Sequence, residues 1–207
     1  MEGKKARRAF FVIGPESSGT KMMAQILIRC GCKGSSGDNQ LMADLNEAAK
    51  SECNIVVRFS FPHMRVWPDF EYTVNKYRQF GFEVIALVMS RSWWVMMESQ
   101  TKRGHVKDQT AALSNIQRAY YLMFHQMDKA GVNFLIVSYE DLILNAAGGC
   151  ISRLCGMLRL PNPDPFPEIR NENLKHYKEY LIGQIKEQVN ESEASKEDPA
   201  VERKDDA

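Results

Sequence analysis

No segment of these 207 residues is apolar for long enough to cross a bilayer. The run AFFVIG (9–14) falls far short of the roughly 20 residues a spanning helix needs, and it lacks the form of a secretory leader. Net charge is nearly absent as well. Lys and Arg number 27 and Asp and Glu 26, leaving +1, so no overall field favours nucleic acid or a membrane surface as a partner. Cysteine is sparse and unpatterned: there are five, an odd number without framework spacing, and Cys30-x-Cys32 lacks the second pair of a zinc site. Five reduced thiols in a cytoplasmic protein are expected. Internal repeats and linker-like segments are missing too, and the length suits one domain with a sizeable core. The evenness breaks only at the ends. MEGKKARR is basic, and from Lys186 onward eight acidic residues face four basic ones with almost no large apolar side chain. Residues 1–185 are therefore read as one α/β domain and 186–207 as a frayed helix passing into a disordered tail.

What is present is an alternation of apolar runs and amphipathic stretches. AFFVIG reads as a buried strand, and 20–31 as a helix with Met23, Ile26 and Leu27 on one face and Gly31 as its stop. Residues 32–39 read as a loop and 40–50 as a short helix. Strands are expected at 53–60, 82–90 and 132–138. Helices are expected at 70–81, 93–102, 108–131 and 146–160, the long one capped by Asp108 and carrying Leu113, Ile116, Tyr120, Met123 and Met127 as its apolar stripe. Continuous rather than alternating apolar strands, separated by helices, predict a mainly parallel sheet covered on both faces. In such sheets ligands sit beyond the carboxyl ends of the strands. A site is therefore expected from residues 14–21, 58–63, 90–99 and 138–141.

Three motifs fall there. GPESSGTK (14–21) joins a strand to a helix. Gly14 and Gly19 permit tight turns and close approach of a phosphate, Ser17, Ser18 and Thr20 supply hydroxyls, the helix N-terminus favours an anion, and Lys21 adds a charge. The plain alternative is a glycine turn before a helix. A magnesium-dependent P-loop has the order Gly-Lys-Ser/Thr; here threonine precedes lysine. The strand VIALVMS runs into Ser90 and Arg91 instead of the aspartate that helps hold magnesium. No metal is expected. Arg91 and Ser99, with seven residues between them, form a possible phosphate clamp; each alone reads equally as a surface residue. The third motif is Tyr139-Glu140-Asp141-Leu142, whose cluster reads as a cap on the segment that follows or as a group that orients a basic partner, the structural reading being preferred.

In this order the motifs resemble those of the sulfotransferases that use 3′-phosphoadenosine 5′-phosphosulfate (PAPS), over about residues 9 to 160. SSGT (17–20) matches the core of that family's phosphosulfate loop, Arg91 and Ser99 match its 3′-phosphate element, and Tyr139–Leu142 its Tyr-Glu-Asp-Leu stretch. The chain is also similar to a smaller group of sulfotransferase-like sequences with GPESSGT and PH…WP segments, here Gly14–Thr20, Pro62, His63, Trp67 and Pro68. The resemblance implies a three-layer, P-loop-like (nucleotide hydrolase-like) sulfotransferase fold. It implies PAPS as donor with PAP (adenosine 3′,5′-bisphosphate) as product, and a small-molecule or carbohydrate hydroxyl as acceptor. Cofactor contacts are expected from Gly14, Ser17, Ser18, Gly19, Thr20, Lys21, Arg91 and Ser99.

The departures are specific. The family's catalytic cation directly before Ser-Gly-Thr is Ser17 here, beside Glu16, and the nearest loop cation is Lys21. The family's general-base histidine after the second strand aligns with Ser60, so His63 is the expected general base and His105 the second choice, with His125 and His176 read as helix or tail residues. The late Arg-Lys-Gly element is missing, and Met22 stands where a tryptophan packs on adenine, leaving Trp93 or Trp94 as substitutes or as core residues. Catalysis is thus assigned to Lys21, His63 and Ser17. Acceptor contacts are assigned to Arg58, Ser60, His63 and Trp67, Arg58 being placed to neutralise a sulfate oxygen or to pair with Glu140 or Asp141. A non-catalytic PAP binder and a P-loop phosphotransferase are the competing readings.

Overall fold

The computed structural model describes residues 6–34, 50–62, 66–144, 149–165 and 170–194. A five-stranded sheet is built around β1 (Arg7–Pro15). Strand β3 (Ile55–Phe61) lies on one side of it and β4 (Phe82–Ser90) on the other, with β2 (Lys33–Gly34) and β5 (Asn133–Ser138) outside them. The order is β2-β3-β1-β4-β5 and every pairing is parallel. The register puts Gly14 beside Ser60 and Ser90 beside Ser138, so the carboxyl ends of the strands share one edge.

Helices cover both faces. Phe11 and Ile13 of β1 point into a layer with α2 (Phe70–Gln79) and α4 (Gln109–Ala130), while Phe10 and Val12 point to α1 (Thr20–Arg29) and α6 (Gly149–Leu158). All four of these β1 side chains are fully buried. This is why the strand reads as an unbroken apolar run: there is no solvent face for a polar residue to occupy. Helix α3 (Trp93–Lys102) and the short α5 (Tyr139–Leu144) follow β4 and β5 directly.

The expected strands and the α/β architecture match what is seen, with one addition. Lys33 and Gly34, placed in a loop by their Gly/Ser surroundings, form the edge strand β2 against Ile55 and Val56. Two exposed residues carry no periodicity, so the pairing leaves no local trace. Asp108 caps α4 as expected, its carboxylate accepting the Ala111 N–H at 2.8 Å. The buried stripe of α4 is rotated from the expected one: Ala112, Ile116, Ala119, Met123, Met127 and Ala130 are buried, and Leu113 and Tyr120 only partly. Small alanines let this helix lie close to the sheet. The expected helix 40–50 lies outside the described residues, apart from Lys50.

The chain divides into two compact units, Met1–Arg170 and Asn171–Ala207. The second is described through α7 (Asn173–Ala194), which runs past Lys186 and leaves Leu174, Leu181 and Ile185 more than half exposed. Among the described residues no helix is long and apolar enough to cross a membrane.

The chain leaves β1 toward the β2 edge and leaves β4 toward the β5 edge. Adjacent strands whose connections diverge open a crevice at their carboxyl ends. The loop 14–19 and Arg91 lie at that crevice.

Candidate phosphate-binding site

The loop between β1 and α1 is shaped by close approach. A Cβ on Gly14 would stand 2.3 Å from Ser18 Oγ and 3.1 Å from Met89 Cβ, so only glycine lets Ser18 fold back over the strand end. Gly19 has φ +97°, and a Cβ there would stand 2.6 Å from the Tyr139 ring. Between them Ser17 adopts φ 70°, a left-handed conformation that costs a non-glycine residue about 1 kcal/mol or more. Gly19 is the N-cap of α1, which has neither a side-chain cap nor an acidic residue in its first turn. The opening N–H groups of the helix and its positive dipole end are therefore left uncompensated by the helix itself. Ser17 Oγ and Ser18 Oγ are both buried without a hydrogen-bond partner among the described residues.

The carbonyls of Pro15, Glu16 and Ser17 are, by contrast, each engaged by a protein donor. Ser18 N–H donates to Pro15 O at 3.1 Å. Gln100 Nε2, from the last turn of α3, donates to Glu16 O at 2.9 Å. Arg91 Nη1 donates to Ser17 O at 2.7 Å. With these carbonyls satisfied and the Ser18 N–H donated to Pro15 O, the donors that remain are the Ser17 and Ser18 hydroxyls and the opening N–H groups of α1, the polarity an anion requires.

Arg91 is itself held. Its guanidinium stacks 4.2 Å from the centroid of the Tyr139 ring, the ring that packs on Gly19. The Tyr139 hydroxyl donates to Arg170 O at 3.3 Å. Glu140, the next residue, accepts the Ser92 N–H at 3.0 Å and so caps α3. The Tyr-Glu-Asp segment thus ties the end of β5 to the end of β4: Glu140 bonds a helix that precedes it and not the segment that follows, where the Asp141 N–H donates to Ser138 Oγ at 3.1 Å, and Tyr139 orients a basic partner, Arg91. Glu16 turns its carboxylate to His105, Oε2 to Nδ1 at 3.0 Å.

The sequence-derived residues distribute as follows. Gly14, Ser17, Ser18, Gly19, Thr20 and Lys21 form the loop and the start of α1, with Lys21 exposed at the second helical position. Arg58 is buried on β3, and its Nη1 lies 3.5 Å from Thr20 Oγ1, which brings it to the first turn of α1. Ser60 lies beside Gly14 in register. Ser99 is buried on α3, while the Arg91 guanidinium reaches the loop backbone. Trp67 is partly buried against the α2/α4 layer, with Arg118 stacked 4.6 Å from its ring centroid. Trp93 is partly exposed and stacks on Tyr120. His63 lies outside the described residues. Gln100 and the Tyr139–Gly19 contact were not found by sequence reasoning. A glutamine within a helix carries no signal, and Tyr139 and Gly19 meet only through the fold.

No family model matches the chain, and no curated protein matches it.

Proposed function

We propose that the loop Gly14–Thr20 and the first turn of α1 bind the phosphosulfate of PAPS, and that the protein transfers its sulfuryl group to a hydroxyl acceptor. One observation carries the reading. Every loop carbonyl from Pro15 to Ser17 is taken by a protein donor, whereas the hydroxyls of Ser17 and Ser18 are buried and unpartnered. Those two hydroxyls are donors that nothing among the described residues receives. The position of the loop, on the central strand of a β2-β3-β1-β4-β5 sheet at the point where connections diverge, supports the P-loop-like sulfotransferase fold as the finer assignment.

A bound donor supplies the sulfuryl group and departs as PAP. The residues of this chain supply charge. Ser17, Ser18 and the first amides of α1 hold the phosphosulfate oxygens, and Lys21 and Arg58 add positive charge at the two sides of the first turn. In a site shielded from water, donors already oriented in this way stabilise charge that builds on the leaving oxygen without further reorganisation. Arg91 fixes the loop and, with Ser99, belongs to the 3′-phosphate end. The acceptor is a carbohydrate or other small hydroxyl compound.

Incubation with PAPS and a panel of hydroxyl acceptors tests the reading. Sulfate is expected to move to an acceptor, or slowly to water, and Lys21→Ala is expected to lower that rate by about 10²-fold while changing PAP affinity far less. Tight PAP binding with no sulfate release on any acceptor would make the protein a nucleotide binder without catalysis.

A further inference from the structure

We infer that Glu16 and His105 form a carboxylate–histidine dyad in which His105 is the general base of the transfer and Glu16 its positioning residue. The inference rests on the sulfuryl-transfer reading above. It begins from an apparent conflict: a carboxylate in a loop that offers donors to an anion works against that anion. Glu16 resolves it by turning to His105, and its Oε2 lies 3.0 Å from Nδ1. A hydrogen on Nδ1, donated to a carboxylate, fixes the tautomer and leaves the lone pair of Nε2 facing away as a proton acceptor. His105 is part exposed and Glu16 mostly covered, at 37% and 15% of their side chains, so the base is accessible and its orienting group is not. Nε2 has no hydrogen-bond partner among the described residues.

The backbone places both members from one residue. Arg103 is the C-cap of α3, Gly104 takes φ 67°, Gly104 N–H donates to Thr101 O at 3.0 Å, and His105 N–H donates to Gln100 O at 3.0 Å. This paired closure of a helix end fixes the residue two beyond the cap. The Gln100 side chain in turn donates to Glu16 O at 2.9 Å. Gln100 is almost wholly buried, so it sets the base and its carboxylate against each other more rigidly than a surface ion pair needs. In the step itself Nε2 takes the acceptor hydroxyl proton as that oxygen bonds to sulfur. The bond from sulfur to the phosphate oxygen breaks and its electron pair leaves with PAP. The proton stays on the imidazole and Glu16 remains a carboxylate.

The full-length protein, His105→Gln, His105→Asn and Glu16→Ala are compared by PAP calorimetry and by sulfate release from PAPS. The imidazole tautomer is read by long-range proton–nitrogen NMR in the wild type and in Glu16→Ala. Expected are, in both His105 variants, PAP affinities within about threefold of wild type and sulfate release lowered by about 10²-fold or more, with an Nδ1–H imidazole in the wild type and a shift toward Nε2–H in Glu16→Ala. His105 variants that bind PAP and release sulfate at the wild-type rate would overturn the dyad and leave the transfer reading standing. An Nε2–H imidazole at His105 in the wild type would do the same, and that reading needs no variant to fold. Wild-type protein that binds no PAP, or binds it and releases no sulfate, would overturn both.

Discussion

Ser17 holds the least comfortable backbone conformation in the loop, φ 70° without being glycine, and it also carries one of the two buried, unpartnered hydroxyls. A serine at a position that glycine would occupy without strain points to its side chain as what the position uses. Ser17→Gly separates the two effects. Relief of the left-handed conformation offsets the greater freedom of the unfolded chain, so stability is expected to stay within about 1 kcal/mol of wild type in urea unfolding. PAP affinity is expected to fall by about tenfold, the loss of one donor to a charged group. Gly19→Ala is the opposite case. Its φ of +97° and the Tyr139 ring 2.6 Å from the added Cβ strain the fold, and destabilisation of roughly 1–3 kcal/mol is expected.

At the scale of elements, α3 with its flanks is what grips the loop: Arg91 at its entrance, Gln100 in its last turn and His105 just past its end. Gln100→Leu keeps the volume but removes the bond to Glu16 O. Amide exchange over 16–19 is expected to speed by about tenfold, an opening change of about 1.4 kcal/mol, while Tm moves by only a few degrees. Slow, unchanged exchange there would mean that α3 does not hold the loop. The same elements mark what the sequence disclosed and what it did not. The glycine loop, the strand before it and the helix after it were legible because each is a local pattern: a run, two glycines, a period. Arg91 and Ser99 were legible as a spacing, but not the route of the guanidinium to a carbonyl of Ser17, 74 residues away in sequence. Glu16 looked like an oddity in an anion loop until His105 came beside it. The edge strand β2, two residues long, had no pattern to read.

For the whole molecule, the sheet both carries the site and supplies much of the core. Phe11 packs edge-on against Phe70 and Tyr77 in the α2/α4 layer, and Phe11→Ala is expected to cost about 3–5 kcal/mol in chemical denaturation. On the other face Cys30 and Cys155 meet sulfur to sulfur at 3.4 Å, and burial pushes Cys32 from its ordinary 9.0 up to about 12 and raises Cys30 and Cys155 as well. The folded state holds these protons where the unfolded chain releases them. Their contribution to stability is therefore complete below the unfolded value of 9.0 and is lost as pH climbs toward about 12. Stability measured across that window should fall, and fall less steeply in Cys32→Ala; equal slopes would mean the thiol is not the titrating group.

The central claim is the proposed anion site, and calorimetry of PAP against magnesium-ATP, on the wild type and on Arg91→Ala, tests it most directly. The account predicts that PAP binds, that magnesium-ATP does not compete, and that Arg91→Ala weakens PAP by at least about tenfold. Preference for magnesium-ATP, or wild-type protein that takes up neither, would contradict it.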